Sequence, residues 1–160
     1  MKKQAEEKTN VMRLLEQKKI PYEMRDYADT DAISGVEVAE ALGEDPAGVF
    51  KTLVTQGASK QYFVFMIPVA EELDLKKAAK AVGEKSIAMI KAKELLPLTG
   101  YIHGGCSPIG MKKRFPTVIN ESARDFEKIF YSAGKIGYQV YTAPEAIAEF
   151  VNLQYADVII

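Results

Sequence analysis

The chain has 160 residues with a formal net charge of −1, 48% hydrophobic and 27% charged residues. That length suits one domain able to bury roughly two-thirds of its unfolded surface, and the composition excludes a disordered or fibrous protein. The near-neutral charge excludes coating of nucleic acid by bulk attraction but leaves room for local basic patches.

In chain order, Val11, Leu14 and Leu15 recur at helical spacing, Lys18 and Lys19 suit a helix C-terminus, and Pro21 stops the helix. Tyr22 to Tyr27 reads as a strand. Ser34 with Glu37 forms a capping box ahead of Val38, Ala41 and Leu42, and Gly43 closes that helix. Val49–Gln56 and Gln61–Val69 read as a hairpin about Gly57-Ala58-Ser59-Lys60. Asp74 caps a helix with the stripe Leu75, Ala78, Ala79, Val82, ending at Gly83.

Ser86 to Ile90 is a short strand, and Ala92, Leu95 and Leu96 a short helix that ends before Pro97. Strands are expected at Thr117–Ile119, Glu127–Ser132 and Tyr138–Tyr141. Thr142 and Glu145 form a second capping box, with Pro144 in the first turn, for a helix carrying Ile147, Phe150 and Val151. Tyr155–Ile160 reads as a last strand. Interleaved helices and hairpins together predict a mixed α/β sheet in one domain spanning residues 1–160.

The longest apolar run, Tyr62 to Ile67, is far short of the ~18 residues of a membrane span. The polar opening from Met1 to Asn10 is unlike a secretory signal. A single cysteine, Cys106, forms no internal disulfide, and with the single histidine, His103, it cannot build a His/Cys zinc cluster. A cytoplasmic protein without metal or cofactor is therefore expected, and the sequon at Asn120-Glu121-Ser122 reads as chance.

Three features carry chemistry. Lys51 interrupts the largely apolar run Val49-Phe50-Lys51-Thr52-Leu53-Val54 and shares a strand face with Val49 and Leu53. An ammonium there needs water, a partner or an anionic ligand; a lysine defending an edge strand is the competing reading. Next, Gly100-Tyr101-Ile102-His103-Gly104-Gly105-Cys106-Ser107-Pro108-Ile109-Gly110 permits close backbone approach to a phosphate or an oxyanion, or forms a wide turn. Lys112, Lys113 and Arg114 follow it, and Lys76, Lys77 and Lys80 form another cluster whose bland reading is a solvated face. The third, Tyr131-Ser132-Ala133-Gly134-Lys135-Ile136-Gly137, sets a hydroxyl at a strand end before a glycine turn, which also describes a plain hairpin. No G-x-S-x-G elbow occurs, and Cys106 beside His103 is a weak thiol–base pair.

Phe50-Lys51-Thr52-Leu53, then Gly104-Gly105-Cys106-Ser107-Pro108-Ile109-Gly110 with Lys112-Lys113-Arg114, then Ser132-Ala133-Gly134-Lys135, resembles the YbaK/EbsC family. Supporting matches run from Lys19-Ile20-Pro21-Tyr22 through Leu75-Lys76-Lys77-Ala78-Ala79-Lys80 to the C-terminal strand. These are free-standing deacylases of Cys-tRNA(Pro) and Cys-tRNA(Cys), similar to the editing domain inserted in bacterial prolyl-tRNA synthetases.

The resemblance implies a mixed, barrel-like sheet with flanking helices and a cleft lined by Tyr27, Lys51, Thr52, Gly104, Gly105, Ser107, Ser132 and Gly134. It implies Lys51 as the catalytic cation on the tRNA acceptor end or scissile ester. Gly104 and Gly105 would contact the aminoacyl-adenosine through their backbone, and Tyr27 and Ser132 would orient the aminoacyl group. It further implies attack by the substrate's own thiol, mischarged tRNA as partner, and tRNA choice supplied by prolyl-tRNA synthetase. His103 and Cys106 depart from the family pattern and inherit no role; Gln139 stands where some relatives carry an acidic residue. A deacylase for another small residue such as alanine on tRNA(Pro), a silent nucleotide- or protein-binding module, and a thiol enzyme using Cys106 remain open alternatives.

Overall fold

A computed structural model describes residues 8–30, 32 and 34–160; most of the polar opening segment lies outside them. Its strands form two sheets. The larger has the order β4-β2-β3-β5-β8, with β2 Phe50–Gly57, β3 Tyr62–Pro68, β4 Ile87–Met89, β5 Thr117–Asn120 and β8 Leu153–Ala156. Pairing within it is antiparallel across β4-β2-β3 and parallel across β3-β5-β8. The smaller sheet is β1-β7-β6, antiparallel throughout, with β1 Glu23–Asp26, β6 Ile129–Ser132 and β7 Tyr138–Thr142. The two meet at a parallel bridge between Val49 and Phe130. The sheets are mixed, as expected; among the described residues they form two joined sheets and no closed barrel.

Among the described residues four helices flank them: α1 Asn10–Gln17, α2 Gly35–Leu42, α3 Leu75–Val82 and α4 Ala92–Thr99. Each is eight residues long, too short to persist in water alone, so packing of an apolar stripe holds it in place. α1 buries Val11, Met12 and Leu15 against the core around Tyr131 and Ile147. In α2 the capping box forms: Ser34 Oγ accepts from Glu37 N at 3.2 Å, and Glu37 Oε1 accepts from Ser34 N at 3.0 Å. Gly43 and Gly83 close α2 and α3 in the left-handed conformation that glycine adopts without steric cost. α3 covers Phe63, Phe65 and Ile67 with Ala78 and Ala79.

Three elements differ from the sequence reading. α4 continues through Pro97 to Thr99. The bond that proline forfeits falls in an exposed last turn, while Thr99 Oγ1 donates to Leu95 O at 2.8 Å and Gly100 N to Leu96 O at 2.8 Å.

The second capping box does not form. Thr142 is fully buried at the end of β7, its hydroxyl 3.0 Å from Tyr131 OH and donating to Ala143 O at 2.9 Å. Pro144–Glu149 is accordingly a 3-10 helix with no side-chain cap.

The last strand ends at Ala156, earlier than expected. Asn120 Oδ1 draws Val158 N off the ladder at 3.1 Å, and the chain end pairs with Glu72–Asp74 instead. Asn120, buried and also bonded to Ser122 Oγ at 2.8 Å, is thereby a structural residue and not a glycan acceptor. No helix among the described residues is long and apolar enough to cross a membrane.

Candidate functional site

β2 pairs with β3 along Phe50–Gln56, whereas β4 covers only Thr55–Gly57. The stretch from Phe50 to Leu53 therefore keeps one open edge. The bonds Val69 N to Val49 O and Gly57 N to Gln61 O set the alternation of the ladder. By that alternation the backbone groups of Thr52 point away from β3, to the open edge. A cleft of about 370 Å³ runs along this edge and is lined by Val49 through Leu53.

Lys51 enters the cleft half-buried, with no carboxylate in ion-pairing range among the described residues. Thr52 Oγ1 is buried and has no hydrogen-bond partner among the described residues. A buried hydroxyl left unpaired costs stability.

The facing wall is β6 and β7, with Tyr131, Ser132 and Gln139, and beside it Tyr27 at the end of β1. The third wall is the glycine-rich loop, through His103, Gly104 and Cys106. Gly104 adopts φ +89°, where a side chain would strain the backbone.

Five predicted residues thus share one cleft: Tyr27, Lys51, Thr52, Gly104 and Ser132. Gly105, Ser107 and Gly134 do not line it. Gly105 is buried behind it, where a Cβ would meet Ile136 N at 3.1 Å. Ser107 is fully buried, and its hydroxyl accepts from Ile109 N at 3.3 Å. Gly134 donates to Ser132 Oγ at 3.1 Å and takes φ +91° against Tyr101 and Val11. These three shape the walls that the other five occupy.

Of the basic residues, Lys77 is bound to Asp157 at 3.0 Å and Ile159 O at 2.8 Å, so it ties down the chain end. Lys113 and Arg114 are exposed beside the loop.

The described lining residues include no carboxylate, and no three His, Cys, Asp or Glu side chains among the described residues gather to hold a metal ion. Burial pushes the Cys106 thiol up to about 12. The thiolate is the reactive form. Cys106 is therefore expected to resist iodoacetamide at pH 8 in the folded protein and to react only on unfolding, as measured by mass spectrometry with and without urea. Rapid alkylation of the folded protein would revive the thiol-enzyme reading.

A residue that sequence patterning missed is Glu44. It is half-buried behind Gln139, whose amide nitrogen, assigned to the carboxylate side, lies 2.9 and 3.3 Å from its two oxygens. Burial pushes Glu44 up to about 7, with the Gln139 bond and the Arg25 charge pulling the other way. Nothing in the local sequence Gly43-Glu44-Asp45 distinguishes it from a solvated carboxylate at a helix end.

An α/β protein with a polar cleft at an open strand edge, floored by a glycine-rich loop, is the class that fold and site define. Solved structures share this fold: a protein described as a proposed trans-editing enzyme for prolyl tRNA synthetase aligns with TM-score 0.82 at 22% identity over 94% of each chain. The hypothetical protein APE2540 aligns at 0.85 and 19% identity, over 95% of this chain and all of that one. The aminoacyl-tRNA editing domain model matches residues 30–150. A protein of Enterococcus faecalis named as a proposed Cys-tRNA(Pro)/Cys-tRNA(Cys) deacylase, EbsC, is 49% identical over 98% of this chain and 96% of its own. A proline–tRNA ligase of Shouchella clausii is 31% identical over 64% of this chain and 18% of the ligase. The chain belongs to the aminoacyl-tRNA editing domain family.

Proposed function

We propose that this protein is a free-standing, single-domain deacylase that removes cysteine from mischarged tRNA(Pro), and from tRNA(Cys), by hydrolysis of the aminoacyl ester. The observation that carries the reading is that an unneutralised Lys51 and the open-edge backbone of Thr52 share one cleft with Ser132 and Gly104. A cation and open donors suit a terminal phosphate or a carbonyl that gains negative charge. The 49% identical relative named for this reaction supports the choice of substrate.

The cleft's described side chains include no carboxylate base, and its thiol is held protonated, which fits the nucleophile that the family resemblance implies, the substrate's own cysteine. Its sulfur attacks the ester carbonyl, forming the C–S bond of a thiolactone. The bond from the carbonyl carbon to the ribose oxygen breaks, and the thiol proton passes to that oxygen, releasing tRNA. Water then opens the thiolactone to free cysteine. Lys51 and the Thr52 backbone N–H at the open edge stabilise the oxyanion, while Ser132 and Tyr27 orient the aminoacyl group. The wall glycines Gly105 and Gly134, with Ser107, hold the geometry.

The exposed Lys113 and Arg114 beside the loop receive the acceptor-stem phosphates. Affinity for tRNA alone is weak and salt-sensitive, and prolyl-tRNA synthetase is the partner that supplies tRNA choice.

Size discriminates cysteine from alanine by only ~1–3 kcal/mol, whereas a required thiol excludes alanine and serine chemically. With Cys-, Ala-, Ser- and Pro-tRNA(Pro) as substrates, release of cysteine alone is the expected result. Equal rates on Ala- or Ser-tRNA(Pro) would overturn thiol assistance, and no hydrolysis of any of the four by folded protein would favour a binding module.

A further inference from the structure

Gly43 closes α2, and Glu44 N then donates to Ala39 O at 2.8 Å, which fixes where the Glu44 side chain leaves the helix. Its carboxylate meets the Gln139 amide nitrogen at 2.9 and 3.3 Å. Gln139 is only 5% exposed, lines the cleft, and sits between Ser132 on β6 and Arg25 on β1 in the strand register.

The nearby cation is engaged elsewhere. Arg25 pairs with Glu23 at 3.1 Å, and its guanidinium lies 5.5 and 5.7 Å from the ring centres of Phe130 and Tyr141. A half-buried carboxylate has thus been matched to an uncharged amide beside the cleft, an arrangement that core packing alone does not call for. A primary amide has one donor end and one acceptor end. With the nitrogen bound to Glu44, the carbonyl oxygen is the opposite end.

We infer that Glu44 is a positioning residue: it orients the Gln139 amide so that its carbonyl oxygen faces the cleft and accepts a hydrogen bond from the α-amino group of the bound aminoacyl ester. The inference rests on the deacylase reading for the identity of the ligand, but not for the pairing itself. Since the described lining has no carboxylate, a neutral carbonyl polarised by a charge behind it supplies the acceptor that an ammonium needs.

The device is sensitive to pH. Ionised Glu44 accepts from the amide nitrogen. Once protonated, Glu44 donates an O–H to the amide oxygen, turning the amide so that its NH2 faces the cleft and opposes an ammonium. Burial has moved this carboxyl up to about 7, so the exchange falls near neutrality, with Gln139 and Arg25 favouring the ionised form. Binding is therefore strongest above that pH and weakens as pH falls through it.

Two measurements test this. In steady-state deacylation of Cys-tRNA(Pro) between pH 5.5 and 8.5, Glu44→Leu is expected to raise KM about tenfold at pH 8 with kcat within about twofold. Glu44→Gln, like protonated Glu44, offers both a donor and an acceptor to the Gln139 amide, so its KM at pH 8 is expected to rise to the value wild type shows below pH 7. It should also lose the rise in KM that wild type shows below pH 7. Titration of the substrate's own amine is common to all three proteins, so the difference between profiles isolates Glu44. Unchanged KM in Glu44→Leu, or identical pH profiles for wild type and Glu44→Gln, would overturn the inference.

The second readout needs no activity: the Gln139 side-chain amide NMR signals should shift between pH 6 and 8 in wild type and stay fixed in Glu44→Gln. Stationary wild-type signals would overturn the pairing. Shifting signals in a protein that hydrolyses no charged tRNA would instead overturn the deacylase reading and, with it, the assigned ligand.

Discussion

Lys51→Ala is expected to lower kcat/KM for Cys-tRNA(Pro) by about 10²- to 10³-fold, the usual range for loss of one oxyanion-stabilising group. The same change should leave the thermal midpoint within about 2 °C of wild type. The two halves have one cause. Lys51 stands on β2 with no carboxylate in ion-pairing range among the described residues, so the folded state loses no salt bridge when the ammonium goes. What is lost is a charge directed into the cleft, and that charge matters when negative charge develops on the ester oxygen. Lys51→Arg should recover only about a tenth of wild-type activity, because a planar fork does not replace a compact ammonium in a narrow cleft. Single-turnover deacylation with scanning calorimetry on each variant checks both halves. Activity above half of wild type in Lys51→Ala would return Lys51 to the role of an edge-strand guard.

Tyr131→Ala should cost the fold about 3–5 kcal/mol. Tyr131 is 1% exposed, the largest fully buried side chain, and part of the cluster with Val11, Leu15, Ile119 and Ile147. Truncation opens a cavity at the junction of α1, β5, β6 and the 3-10 segment, and it removes one of the two partners of the Thr142 hydroxyl. Against a total stability of roughly 5–15 kcal/mol, that is about a fifth or more. Urea unfolding should show it as a fall in midpoint at constant slope. Tyr131→Phe keeps the packing and loses one hydrogen bond, so about 1 kcal/mol is expected. Tyr131 also lines the cleft, so Tyr131→Ala should lose more activity than its folded fraction explains. A cost below about 1 kcal/mol would show that the site collapses around the missing ring.

Much of this protein was legible before folding was considered. The Ser34–Glu37 capping box, the Gly43 and Gly83 helix ends and the β2–β3 hairpin all formed as read, because each depends on contacts within a few residues. Lys51 was visible as a cation in an apolar strand, and the glycine-rich loop and Ser132 were visible through the family motif, which the comparisons bear out at the level of family.

Local rules failed where a distant group competed for the same atom. The Thr142 hydroxyl was drawn to Tyr131 and the Ala143 carbonyl instead of a helix N-terminus, and Asn120 took Val158 from the last strand. Pro97 was tolerated because side-chain and backbone bonds closed the helix beyond it.

The sequence by itself determined the local elements, the mixed α/β class and the residue types able to carry the chemistry, since these follow from periodicity, caps and motifs. Tertiary structure alone decided that β4 leaves one edge of β2 open, that Gly105, Ser107 and Gly134 stand behind the cleft, and that Glu44 lies against Gln139. Each of these turns on contact between segments far apart in the chain, where burial and pairing outweigh local preference.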